Sequence, residues 1–300
     1  MSTRVIRPFD PWRSDLCTCP PKYTLNPYTG CSHMCLYCYA TAYIGRRPST
    51  PKRDLISSVR KDLRHIDRTR PINMSTSSDP YPPEEQELKL TREVLKILVA
   101  HGCRILITTK SNIVTRDIDI LMRGNVAVMI TITTLDDNLA KIIEPNAPSP
   151  SQRIEAVQKL ASEGIPVGVR IDPVIPYVND DERMLRQLVN EVVNAGARHI
   201  VTSSYKARPD NFRRLITAFP ELENKLRKIY YEEGELVHGY RYLRPDLRKN
   251  LLRPVVDEAK RLGVTYATCR EGLPEFRNAP SCDGSHLIPS RVIARVLDLF

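Results

Sequence analysis

The feature that most constrains this chain is an alternation running from Ile72 to Thr268. Short apolar, β-branched runs are separated by longer amphipathic ones, at a repeat of roughly thirty residues, the length of a strand–helix–strand unit. Strands are predicted at Ile72–Thr76, Arg104–Thr109, Val126–Thr133, Val167–Ile171 and Ile200–Ser203, with Val264–Thr268 near the end and an early one at Tyr23–Leu25. Helices are predicted over Glu84–His101, Thr115–Met122, Ser151–Glu163, Asp181–Asn194 and Arg248–Leu262. Gly102, Gly124, Gly164, Gly196 and Gly263 stand where their C-caps should fall. Strands separated by helices pair in parallel, because a hairpin cannot join parallel neighbours. The fold class is therefore α/β, either an open doubly wound sheet or a full or partial (β/α) barrel. Both gather functional groups where the strands end. Those ends are small and polar here: Ser75 to Asp79, Thr108 to Ser111, Thr131 to Thr134, Arg170 to Asp172 and Ser203 to Lys206. Polar ends on one edge describe a lined pocket.

Directly after the early strand comes Asn26-Pro27-Tyr28-Thr29-Gly30-Cys31-Ser32-His33-Met34-Cys35-Leu36-Tyr37-Cys38, which holds three of the chain's 8 cysteines. The N-terminus has no apolar signal core and no apolar run reaches the length of a membrane span. The chain is thus expected in the cytoplasm, where cysteines serve metals or thiol chemistry rather than disulfides. Zinc usually takes four protein ligands from paired Cys-x-x-Cys or Cys/His units, and an electron-transfer [4Fe–4S] cluster takes four cysteines. This loop offers three at unequal gaps. Three thiolates on a cubane leave one iron open to a substrate or cofactor.

Cys31-x-x-x-Cys35-x-Tyr37-Cys38 resembles the cluster motif of the radical S-adenosylmethionine (SAM) superfamily. That resemblance implies a full or partial (β/α) barrel and a [4Fe–4S] cluster on Cys31, Cys35 and Cys38. It also implies that SAM chelates the open iron and is cleaved reductively to methionine and a 5′-deoxyadenosyl radical. Electrons would come from an external donor such as ferredoxin or flavodoxin. Tyr37 matches the aromatic residue that packs near the adenine. Asn26 to Gly30, Cys38-Tyr39-Ala40, Ser77 to Tyr81, Thr109-Lys110-Ser111 and Thr131 to Thr134 are similar to the spore photoproduct lyase branch. By that similarity Ser77, Lys110 and Thr131 contact SAM. A lysine suits its carboxylate, and hydroxyls suit its amino group and ribose. Arg170 reads equally as a second carboxylate partner or as a structural ion pair. One departure stands out. The lyase has a cysteine just before its Ser-Asp pair, which returns hydrogen to the product radical, whereas Ser75-Thr76-Ser77-Ser78-Asp79 carries no thiol. The resemblance therefore carries the cofactor chemistry further than the substrate.

Cys17, Cys19, Cys269 and Cys282 make a second set of four, the complement of a closed [4Fe–4S] cluster or a four-thiolate zinc site if the ends of a barrel meet; otherwise they are separate thiols. Cys103 is expected to pack in the core. Lys and Arg number 45 against 35 Asp and Glu, a net charge of +10. Two stretches concentrate the cations: Arg46 to Arg64, and Lys225 to Arg261 with Tyr230, Tyr231, Tyr240 and Tyr242 interleaved. Each alone reads as a solvated face with i,i+4 pairs; together with the net charge they point to a nucleic acid, DNA or RNA. The rival readings are a protein or peptide substrate for the same radical, and a zinc-stapled nucleic-acid-binding protein. The expected regions are an N-terminal extension over 1–22, a barrel core over 23–207, and a basic helical extension over 208–300 packed on that core with a final strand.

Overall fold

The computed structural model describes residues 4–9 and 16–290. Eight strands form one sheet in chain order: β1 (Arg7–Pro8), β2 (Tyr23–Leu25), β3 (Ile72–Met74), β4 (Arg104–Thr109), β5 (Asn125–Thr131), β6 (Val167–Val174), β7 (His199–Ser204) and β8 (Thr265–Thr268). β1 lies antiparallel on β2, and every later pair is parallel. Among the described residues no ladder joins β1 to β8, so the sheet is a partial barrel with an open seam. The expected α/β architecture is present. Two features depart from expectation. β1 is two residues long, too short to carry a period. The final strand is not set apart: it pairs along β7 and completes the sheet.

Burial on both faces explains why the central strands read as continuous apolar runs. All of β5 is buried. Alternate side chains separate into two layers, with Ile105, Ile107, Val126 and Val128 packing in the large core that includes the helices. Leu106, Ala127, Met129 and Val201 face the other way and meet Ile288 from the C-terminal segment. That segment therefore fills the barrel interior beneath the strand ends.

The outer layer includes α1 (Leu90–Ala100), α2 (Pro150–Ser162), α3 (Glu182–Asn194), α4 (Pro209–Ala218) and α5 (Pro245–Arg261). The predicted helix over Glu84–His101 is broken at Lys89, which takes a left-handed φ of 49°. The cause is Glu85, buried and accepting from the Thr91 amide at 2.9 Å, so that it caps α1 from outside. The predicted helix over Thr115–Met122 is instead a tight 3₁₀ turn, Asn112–Asp117, followed by one α-turn, Ile118–Leu121. Gly102, Gly164, Gly196 and Gly263 take positive φ at their helix ends, whereas Gly124 does not. No helix among the described residues is long and apolar enough to cross a membrane.

Candidate functional site

Because β2 to β8 run parallel, their C-terminal ends share one edge, and a cavity of about 500 Å³ opens there. Cys31, Cys35, Tyr37 and Cys38 line it from the loop after β2, as do Ser77, Lys110, Thr131 and Arg170 from the strand ends. Cys17, Cys19, Cys269 and Cys282 line it too. The cysteines of both sets and the residues expected to contact SAM all line this one space, and Cys103 is buried in the core instead.

Distant segments hold the cysteine loop. Asn26 Oδ1 accepts from the Thr76 and Ser77 amides at 3.0 and 3.2 Å, tying the loop's start to the end of β3. Gly30 has φ 79°, and a Cβ there would stand 2.3 Å from the Pro48 carbonyl, so only glycine fits. The Leu36 amide donates to the Ile143 carbonyl at 2.9 Å. From α4, Arg214 donates to the carbonyls of Leu36 and Cys38, both at 2.9 Å, and Asn211 Nδ2 donates to that of Tyr37 at 3.1 Å. The thiols themselves are free. Burial, helped by the Asp79 charge, pushes Cys31 up to about 11. Burial raises Cys35 further, against the pull of the Lys110 ammonium.

Beneath the loop lies a buried ionic network that sequence reasoning did not find. Glu144 and Arg153 pair at 2.5 Å, each 1% exposed. The Tyr37 hydroxyl donates to Glu144, Thr133 donates to it at 3.1 Å, and Arg153 donates to the Thr131 carbonyl at 3.1 Å. Burial would raise Glu144, but the Arg153 and Lys110 charges outweigh it and hold the carboxyl below its ordinary range. His33, given no role from sequence, is buried with Nε2 3.3 Å from Asp79 Oδ2. Asp79 in turn accepts from the Lys110 amide at 2.8 Å and from Thr109 Oγ1 at 2.6 Å. The Tyr37–Glu144 and His33–Asp79 pairings span large sequence separations, so no local signal could have shown them.

Lys110 carries its Nζ 5.4 Å above the Tyr37 ring and makes no ion pair among the described residues. Arg170 differs. Its guanidinium lines the cavity and pairs with Asp172, which also accepts from Ser203, so the structural ion pair is present.

The Lys225–Arg261 stretch does not form a stacking platform. Tyr230, Tyr240 and Tyr242 are buried, and Tyr230 packs with Tyr205 and Leu226 in a small core beside the cavity. Several of the cations there are paired within the chain, Arg227 with Glu223, Arg244 with Asp246, Lys249 with Glu275 and Arg261 with Glu258, whereas Arg241 lies over the Tyr231 ring. Arg46, Arg47, Arg53, Arg60 and Arg64 are exposed, and the Arg47 carbonyl accepts from the Cys31 amide at 3.0 Å.

Comparison with known proteins places this geometry. The family model of the radical SAM superfamily matches residues 25–189. An uncharacterized protein of Mycobacterium tuberculosis is 27% identical over 241 residues, 74% of this chain and 71% of that protein. Spore photoproduct lyase of Clostridium acetobutylicum is 22% identical over 251 residues, 78% of this chain and 73% of the lyase. Among solved structures, a spore photoproduct lyase variant with bound AdoMet and dinucleoside spore photoproduct superposes with a TM-score of 0.64 at 18% identity, covering 86% of this chain and 79% of that one. At that identity the likeness is one of fold.

Proposed function

This chain belongs to the radical SAM superfamily, and on that premise we propose that it directs SAM-derived radical chemistry at a nucleic acid. The family makes it an enzyme and implies a [4Fe–4S] cluster and SAM. The residues present suit both groups. Cys31, Cys35 and Cys38 are free thiols on one loop facing one cavity, and three thiolates leave a cubane iron for a further ligand. Lys110 brings into the cavity an ammonium that makes no ion pair among the described residues, the chemistry that a SAM carboxylate requires, and Ser77 and Thr131 bring hydroxyls. Tyr37 is the ring for the adenine. Bound together, the two cofactors supply a 5′-deoxyadenosyl radical once an electron arrives from a donor of the ferredoxin or flavodoxin kind. The chain's own part is positioning: the Glu144–Arg153 pair fixes Tyr37, and Asp79 fixes the Lys110 backbone. Arg170 belongs to the cavity wall.

Removing the Lys110 ammonium tests the cofactor site. Lys110→Ala should weaken SAM binding about 10- to 100-fold with iron content unchanged, as loss of a charge-assisted contact of about 1.5–3 kcal/mol requires. Equal affinity, measured by equilibrium dialysis, would remove Lys110 from the site.

The observation that carries the substrate reading is the exposed Arg46–Arg64 run beside the cysteine loop, where a polyanion reaching the mouth would meet it. Similarity to spore photoproduct lyase supports the same class. The Ser75–Asp79 stretch holds no thiol, and Thr76 Oγ1 within it is hydrogen-bonded to Thr24 and accepts from Asn26 Nδ2 at 3.1 Å, so clean lesion reversal from that stretch is not expected. Binding of tRNA or DNA should weaken with salt, its logarithm falling by about 0.7–0.9 per phosphate neutralised. Replacing Arg46 and Arg47 by Ala should lower that slope by about one to two phosphates. Absent or salt-insensitive binding would transfer the proposal to a peptide substrate. A second metal centre on Cys17, Cys19, Cys269 and Cys282, zinc or a further cluster, is part of this proposal; its support is that the four thiols line the same cavity.

A further inference from the structure

The partial barrel is unclosed between β1 and β8, and the second set of thiols gathers at that seam. Cys17 and Cys19 lie just before β2, Cys269 directly follows β8, and Cys282 lies in the loop beyond. Cys19 Sγ and Cys282 Sγ are 3.6 Å apart across 263 positions of chain. The Cys17 and Cys19 thiols are in hydrogen-bond contact, and none of the four is in a disulfide. Two buried charges flank them, with Lys22 Nζ 2.5 Å from Asp283 Oδ2 and 3.4 Å from Cys19 Sγ.

We propose that Cys17, Cys19, Cys269 and Cys282 bind a single tetrahedral divalent ion of the zinc class, which clasps the two sides of the seam. This rests on the second-centre reading above and decides its nature. Thiolates about 2.3 Å from zinc at tetrahedral angles have sulfur–sulfur edges of about 3.8 Å, close to the Cys19–Cys282 contact. A cubane binds each thiolate to a different iron and holds its cysteine sulfurs well beyond such contact. Four protein ligands leave no open position, so the ion is structural. On binding one M²⁺ the four thiols release four protons to solvent, leaving a net charge of −2 on the site. Lys22 beside Cys19, and Arg170 in hydrogen-bond contact with Cys269, compensate that charge from the surrounding shell. Among the described residues no three ligating side chains are already arranged to hold an ion, so binding requires the thiols to move together.

The test is metal analysis of the full chain purified anaerobically. One zinc per chain is expected alongside the irons of the catalytic cluster. Cys19→Ser with Cys282→Ser should lose that zinc, and alanine at Cys31, Cys35 and Cys38 should keep it. Cobalt exchanged into wild-type protein should show the intense visible bands of a tetrahedral thiolate site, which keeps the test available if the serine variants do not fold. A second set of four irons lost in the serine variants would overturn the single-ion assignment and leave a second centre standing. No metal beyond the catalytic cluster, or a Cys19–Cys282 disulfide found by mass after alkylation, would overturn both.

Discussion

Replacing Cys31, Cys35 and Cys38 together by Ala should abolish the SAM-perturbed electron paramagnetic resonance signal of the reduced protein and remove the cluster irons. Far-ultraviolet circular dichroism should be preserved. The expected loss is complete because all three thiols of the Asn26–Cys38 loop are removed together. His33, the nearest alternative donor by sequence, is turned toward Asp79 and the Asn146 carbonyl. The fold should survive because carbonyls of this loop are held by Arg214 and Asn211, which the substitutions leave in place. A persisting signal with SAM still bound to iron would show that the cluster is held elsewhere.

Glu144→Ala should cost about 3–5 kcal/mol of folding stability, because it leaves the Arg153 guanidinium buried without its counter-charge. That is a large part of the roughly 5–15 kcal/mol by which a domain is folded. Replacing both partners by apolar residues of similar volume should recover much of the loss, since no orphaned charge remains. The sign with pH follows from the depressed carboxyl. The pair's contribution is fully present above the usual glutamate value of 4.5 and fades as pH falls through the lower folded value. Urea unfolding at pH 7 of the single and double variants checks this. A loss within about 1 kcal/mol for Glu144→Ala would mean that water or another anion reaches Arg153.

β4 is predicted and observed over the same residues, Arg104–Thr109, because a strand buried on both faces writes its burial directly into consecutive apolar positions. The break at Lys89 was not legible. Residues 84–101 carry a helical period throughout, and what interrupts it is Glu85, anchored by Tyr28 and Arg116 from other parts of the chain. The tyrosines of the C-terminal stretch looked like stacking surfaces for the same reason. Composition shows a ring beside a cation, but only packing decides whether the ring faces solvent, and Tyr240 and Tyr242 face the core.

What the sequence by itself determined is local: the strand–helix period, the polar strand ends, and the three-cysteine spacing that places this chain in its superfamily. Each depends on residues a few positions apart, where backbone geometry alone relates them. The tertiary structure decided which distant groups meet. It set the Glu144–Arg153 pair under Tyr37, turned His33 onto Asp79, and brought Cys19 against Cys282. These contacts arise because parallel strands collect all their ends on one edge and the curled sheet brings its first and last segments together. Partner choice at such distances is a property of the folded shape, not of any stretch of chain.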